Sequence, residues 1–152
     1  QRVFHIGMPV RDIEMAKVQF GSDMNLSWTS TWVMDPLAFW TPELGEHEIV
    51  VKACYSRPGP HHLELVEANS PFYNPETEPD SRHLGVWVDD LPAECERLIS
   101  RGWRILASGA APENGYGNLA YLTPDSGGLV VELVTTSLMP VIEEWLASPI
   151  QI

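Results

Sequence analysis

The chain has 152 residues, 44% hydrophobic and 20% charged, which suits one globular domain with a substantial core and speaks against disorder. Nine Lys and Arg against 21 Asp and Glu leave a formal charge of −12, which repels phosphate backbones and anionic lipid surfaces, so neither nucleic acid nor a membrane is an expected partner. No run of about 18 apolar residues occurs, and the first residues lack the basic-then-apolar pattern of a secretory leader, so a soluble mature protein is expected.

In chain order, residues 5–13 read H-I-G-M-P-V-R-D-I, an apolar strand that opens on a histidine and runs into an aspartate. Asp12 is placed to cap a helix carrying Ile13, Ala16, Val18 and Phe20, with Gly21 as its stop. Strands are predicted over 26–33, 48–55 and 62–68, bounded by turn signals such as Arg57-Pro58-Gly59-Pro60. Leu37 to Glu48 reads as a long loop, because Pro36, Pro42 and Gly45 interrupt any period. Asn69 to Ser81, with Pro71, Pro75 and Pro79, reads as a linker.

The second half repeats the first. Residues 83–91 read H-L-G-V-W-V-D-D-L, and Asp90 precedes a helix whose Leu91, Cys95, Leu98 and Ile99 form a core-facing stripe ending at Gly102. Strands follow over 103–107, 119–123 and 129–135, the last after the turn Pro124-Asp125-Ser126-Gly127-Gly128. The expectation is an α+β fold of two tandem βαβββ modules, about 1–68 and 82–136, forming a curved, half-open mixed barrel. Leu138 to Ala147 then reads as an amphipathic C-terminal helix, with Val141, Ile142, Trp145 and Leu146 packed on the sheet or on a second subunit.

The modules also match at their ends. His62-Leu63-Glu64-Leu65-Val66 and Val130-Val131-Glu132-Leu133-Val134 each put a carboxylate inside an apolar strand. Burying an ionised carboxylate is costly unless something positive compensates it, and a divalent cation would. If first and last strands lie side by side around a pseudo-twofold axis, His5, Glu64, His83 and Glu132 meet at one centre. Two imidazoles and two carboxylates suit Zn, Ni, Co, Fe or Mn, and four ligands on an ion that accepts six leave two positions for water or substrate.

Four segments carry a family resemblance: F-H-I-G-M-P-V-R-D at the start, H-L-E-L-V-E-A closing module one, R-H-L-G-V-W-V-D-D-L opening module two, and G-G-L-V-V-E-L-V closing it. In this order and duplication, over residues 3–136, the chain resembles the vicinal oxygen chelate superfamily, which includes glyoxalase I, methylmalonyl-CoA epimerase, extradiol dioxygenases and bleomycin-resistance proteins. The resemblance implies metal ligation by His5, Glu64, His83 and Glu132. Epimerases of the superfamily typically carry Gln where Glu64 stands, which leans the pattern toward glyoxalase-like chemistry. Extradiol dioxygenases use two His and one Glu, and bleomycin-resistance proteins generally lack the set. Superfamily members commonly dimerise, so a homodimer is expected.

The resemblance implies a metal-assisted lyase or isomerase acting on a small substrate that chelates through neighbouring oxygens, by way of an enolate, with Glu64 or Glu132 as base. Glu48, in a region where the epimerase branch holds a base, is a further candidate, although a solvated position suits it better. The alternatives are oxygen chemistry at Fe²⁺ and a non-catalytic protein that sequesters a small molecule. Around the centre, His62 shares the strand face of Glu64 and Trp87 that of His83, making them candidate substrate contacts, while an exposed turn and ordinary core packing serve equally as readings. Tyr121 is a candidate to orient substrate through its hydroxyl, or else a packing aromatic. Trp28, Trp32 and Trp40 suggest an apolar wall. Cys54 and Cys95 have no metal-like or disulfide spacing, so they read as small buried hydrophobes in a reducing, cytoplasmic setting.

Overall fold

The computed structural model describes residues 2–76 and 81–149. The linker's residues 77–80 therefore lie outside the described residues. Each half begins as its sequence dictates. Strand β1 (Val3–Pro9) leads into helix α1 (Ile13–Met24), and β6 (His83–Val88) into α2 (Leu91–Ile99). Asp12 and Asp90 cap the two helices by accepting the amides of Met15 and Ala93, both at 3.0 Å, each cap contributing about 0.5–2 kcal/mol. The stop of α1 differs from expectation. Gly21 lies inside the helix, where it lets the Leu26 carbonyl and the Trp28 indole approach closely, and Asn25 ends the helix in the left-handed region at φ 53°. Val18 faces solvent at 75% exposure rather than joining the core stripe.

The remaining strands are β2 (Ser27–Trp28), β3 (Trp32–Thr41), β4 (Gly45–Arg57), β5 (His62–Ala68), β7 (Trp103–Ser108), β8 (Leu119–Pro124) and β9 (Val131–Thr135). The predicted loop from Leu37 to Glu48 is instead the turn and adjoining strand ends of a long β3–β4 hairpin. Its ladder survives Pro36 because the register shifts between Met34 and Leu37, where the missing N–H is needed by no partner, and Gly45 takes φ +68° just after the turn. The predicted strand at 26–33 is correspondingly split into β2 and the start of β3.

The nine strands form one sheet in the order β2-β4-β3-β7-β8-β9-β6-β1-β5, and β4 also pairs with β5. The sheet therefore curls around a common axis, with the seam between β3 and β7 carried by the single pair Trp40–Ser108. Alternation divides its two faces. On the convex face Leu65 and Cys54 pack with Ile13, Ala16 and Phe20 of α1, while Leu122, Val131 and Leu133 pack with Leu91 and Cys95 of α2. Residues of the opposite parity, among them Glu64, Val66, Glu132 and Val134, face the concave side. Burial pushes both thiols up to about 12, so Cys54 and Cys95 behave as small apolar groups. Helix α3 (Met139–Leu146) lies against this chain's own concave face, with Ile142 packed on Phe4, Tyr55, Trp87 and Val134. Arg57 fixes its end by donating to the carbonyls of Leu146 and Ser148, and Trp145 donates to Ser30 O at 2.9 Å. Among the described residues, no helix is long and apolar enough to cross a membrane.

Candidate metal centre

Strand register assembles the centre. β1 and β6 run antiparallel, placing His5 beside Gly85 and Gly7 beside His83. On their outer sides the parallel partners put Glu64 beside Gly7 and Glu132 beside Gly85. Two rows cross the sheet, Glu64–Gly7–His83 and His5–Gly85–Glu132, related by the duplication. The glycines are required by space, since a Cβ on Gly7 would lie 2.1 Å from the His83 ring and one on Gly85 only 1.9 Å from the ring of His5. Each H-x-G repeat thus supplies one imidazole and the gap that admits the other.

All four side chains are buried, and one ligand atom from each lies within 4.8 Å of the others. His5 Nε2 is 3.1 Å from His83 Nε2, 3.1 Å from Glu132 Oε1 and 3.6 Å from Glu64 Oε1; His83 Nε2 is 3.5 Å from Glu64 Oε1 and 3.6 Å from Glu132 Oε1. Ligands about 2.0–2.2 Å from one ion stand roughly 3.0–3.5 Å apart at right or tetrahedral angles, so the separations fit a shared cation. Protonation chemistry agrees. His83 Nδ1 donates to the Ser81 carbonyl at 2.9 Å, so Nε2 is the lone-pair nitrogen once the ring is neutral, the usual outer-shell arrangement of a metal-binding histidine. Burial pulls the His83 pKa down, but the Glu64 hydrogen bond and the charges of Glu132 and Glu64 overcome it and hold it at about 9. Burial likewise opposes ionisation of Glu64, yet His5 and His83 draw its pKa below the usual value. Glu64 is thus a carboxylate held ionised beside positive charge.

Above the quartet is a cavity of about 340 Å³, at the small end of the range for ligand pockets. Its walls come from β3, β4, β5, β8, β9 and α3, with Trp32, Val51, Tyr55, Leu119, Tyr121 and Trp145 prominent.

With the fold and the quartet in view, comparison with known proteins is decisive at the level of family. The profile described as the Glyoxalase/Bleomycin resistance protein/Dioxygenase superfamily matches residues 4–121. The chain belongs to that superfamily. Among solved structures, it is similar to methylmalonyl-CoA epimerases from Mycobacterium tuberculosis (18% identity, 88% of this chain and 87% of that one, TM-score 0.56) and Streptomyces coelicolor (18%, 89% and 96%, TM-score 0.59). A methylmalonyl-CoA epimerase solved with methylmalonyl-CoA and NH4+ is 19% identical over 88% of this chain and 93% of its own, with TM-score 0.58. At these identities the likeness shows the shared fold. Comparison with curated proteins by sequence finds no match.

Within this superfamily fold, the other residues singled out from the sequence are distributed unevenly, for reasons of strand geometry. Tyr121 faces Glu132 across β8–β9, lines the cavity and shares a 2.7 Å hydroxyl contact with Tyr73. His62 shares the face of Glu64 but sits at the strand's first residue, outside the cavity lining, with Nδ1 donating to Ser56 O at 2.7 Å. Trp87 stacks on Phe4 at 4.0 Å, packs in the cluster under Ile142 of α3 and borders a shallow outer cleft, outside the cavity lining. Glu48 is exposed on β4, because its strand parity opposes that of Val51 and Ala53, and it does not line the cavity. Of the three tryptophans, Trp32 lines the cavity, while Trp28 is buried beneath α1.

Two cavity tyrosines stand outside the residues that the sequence singles out. Tyr55 faces Glu64 across β4–β5 as Tyr121 faces Glu132, so the duplication itself carried the signal. Tyr73 stands in a short 3-10 turn of the predicted linker, 4% exposed against Phe39 and Tyr121; its signal was the Phe72-Tyr73 pair in an otherwise polar, proline-rich stretch.

Proposed function

We propose that this protein is a metal-dependent isomerase or lyase of glyoxalase type, acting on a small substrate that presents two neighbouring oxygens to an ion held by His5, Glu64, His83 and Glu132. The observation that supports it is the buried quartet at the floor of an apolar cavity. A divalent ion such as Zn, Ni, Co, Mn or Fe, when bound, supplies a Lewis acid that makes a C–H next to a coordinated oxygen more acidic.

The chain's own residues do the rest. His5 and His83 hold the ion, with their rings fixed in the gaps above Gly85 and Gly7. Glu64 and Glu132 are the carboxylates that line the cavity, so proton transfer falls to one of them. Tyr55 stands across from Glu64 as Tyr121 stands across from Glu132, and the Tyr121 hydroxyl engages that of Tyr73. Either Glu64 or Glu132 is placed to serve as the base. Burial and the charge of Glu132 hold the Tyr73 and Tyr121 phenols well above their ordinary range, so the pair acts as a neutral donor toward a substrate oxygen. Helix α3 with Trp145, and Trp32 facing it at 5.1 Å, keep bulk water from the reacting carbon.

The test is hydrogen exchange at the carbon beside a carbonyl. Metal-loaded protein is incubated in D2O with a panel of hydroxyketones and followed by NMR. Exchange in the wild type that is abolished in Glu64→Gln or Glu132→Gln and retained in Glu48→Gln supports the reading. No exchange across the panel by protein carrying stoichiometric metal would leave a binding protein as the better description.

A further inference from the structure

Every lysine and arginine of the protein, nine in all, lies outside the cavity lining. Arg2 pairs with Asp89, Arg11 with Glu76, Lys52 with Glu67 and Arg97 with Glu94. Arg101 lies at the exposed end of α2, and Arg82 and Arg104 border a different cleft behind His83. The remaining two cations are engaged: Lys17 with Thr31 at 3.1 Å, and Arg57 with backbone carbonyls of Trp28 and the end of α3. A shallow groove that shares Trp32, Val141 and Trp145 with the cavity is bordered also by Val33 and Glu144, again with no cation.

The polar inventory of the cavity is equally restrictive. Beyond Glu64 and Glu132, its lining offers the hydroxyls of Tyr55, Tyr73 and Tyr121 and the amide of Asn118, against an otherwise hydrocarbon and indole wall. A divalent ion would neutralise the two carboxylates, leaving a floor with no net charge to attract an anion. A carboxylate or phosphate entering this space would lose its hydration and meet no cationic side chain in exchange. Phenol and amide groups suffice to bind a neutral carbonyl or hydroxyl.

We infer that the ligand of this site is a compact, uncharged molecule with an apolar ring or short hydrocarbon body against Trp32, Leu37, Val66 and Trp145, and two neighbouring oxygens directed at the quartet. Substrates carried on an anionic adduct, such as a nucleotide-bearing thioester or a peptide thiol conjugate, lack any anchor here. This inference rests on the proposed function, since the quartet supplies the end that reads the two oxygens, and it narrows that reading to one substrate class.

The discriminating experiment uses a matched pair of chelators: a neutral methyl-substituted hydroxypyranone and the same ring with a carboxylate in place of the methyl. Both are titrated calorimetrically into Zn²⁺-loaded protein of known zinc content. The neutral ring should bind at least about tenfold more tightly than its carboxylate. Val141 lines the cavity and is 44% exposed, so a long cation can be accommodated there, and Val141→Arg should shift the ratio toward the carboxylate by a similar factor. Equal or tighter binding of the carboxylate by the wild type overturns the inference while the metal reading stands. Absence of zinc uptake, seen before either probe is added, overturns the metal reading and this inference with it.

Discussion

The floor of the site and its walls obey different rules. The floor is symmetric: β1 and β6 each bring a histidine and a glycine, β5 and β9 each bring a glutamate, and a tyrosine faces each glutamate from the next strand. The walls are not. The outer hairpin of the first half has strands of 10 and 13 residues, that of the second half 6 and 6, and the longer one reaches across to meet β7. It delivers Trp32, Met34, Leu37, Val51, Ala53 and Tyr55 to the cavity, whereas β7 and β8 deliver only Leu119 and Tyr121. Ion binding needs the two halves alike, and selecting a substrate requires them to differ.

If the symmetric floor depends on reciprocal packing, its glycines are the place to break it. Gly85→Ala forces the new methyl into the His5 ring, which is wholly buried against Phe4, Tyr55 and His83 and has nowhere to move. The variant should unfold about 1–3 kcal/mol more easily in denaturant titration and lose most of its metal affinity. Gly7→Ala should do the same through His83, with similar size; a glycine substitution tolerated without loss of metal would refute the packing argument.

Proton competition sharpens the same comparison. His83, held at about 9 without metal, carries a proton at neutral pH that metal binding must displace. Apparent affinity should therefore rise about tenfold per pH unit up to roughly pH 9 and then level off, with about one proton released in calorimetry across buffers of different ionisation enthalpy. The sign for stability is opposite. With the folded value raised from 6.5 to about 9, the metal-free fold is favoured fully below pH 6.5 and loses that contribution as pH climbs through 9.

On the wall, effects should be smaller. Tyr121→Phe removes one hydroxyl of a 2.7 Å pair and should cost about 0.5–1.5 kcal/mol in ligand binding while leaving metal content unchanged. Glu48→Gln, exposed on the outer side of β4, should change stability by less than about 0.5 kcal/mol and metal content not at all.

The floor was legible in the sequence because duplication converts weak signals into a matched set: His5 with His83, Glu64 with Glu132, and the glycines between them. Its cause is local, since strand alternation and register alone bring those residues together. The wall was less legible because it depends on departures from pattern. Pro36, Pro42 and Gly45 read as breakers of a loop, yet one register shift and one positive φ keep β3 and β4 paired. Tyr73 hides in a proline-rich connection whose burial follows only from the path of the chain, and the amphipathic pattern of α3 fixed its apolar face without fixing which surface would cover it.

The central claim, that these four side chains hold a divalent ion, is tested most directly by elemental analysis of protein purified with neither added metal nor chelator, beside a His5→Ala, Glu132→Ala double variant. The account predicts close to one Zn, Ni, Co, Mn or Fe per chain in the wild type and none in the variant. A wild type that carries no metal and takes up none on titration would contradict it.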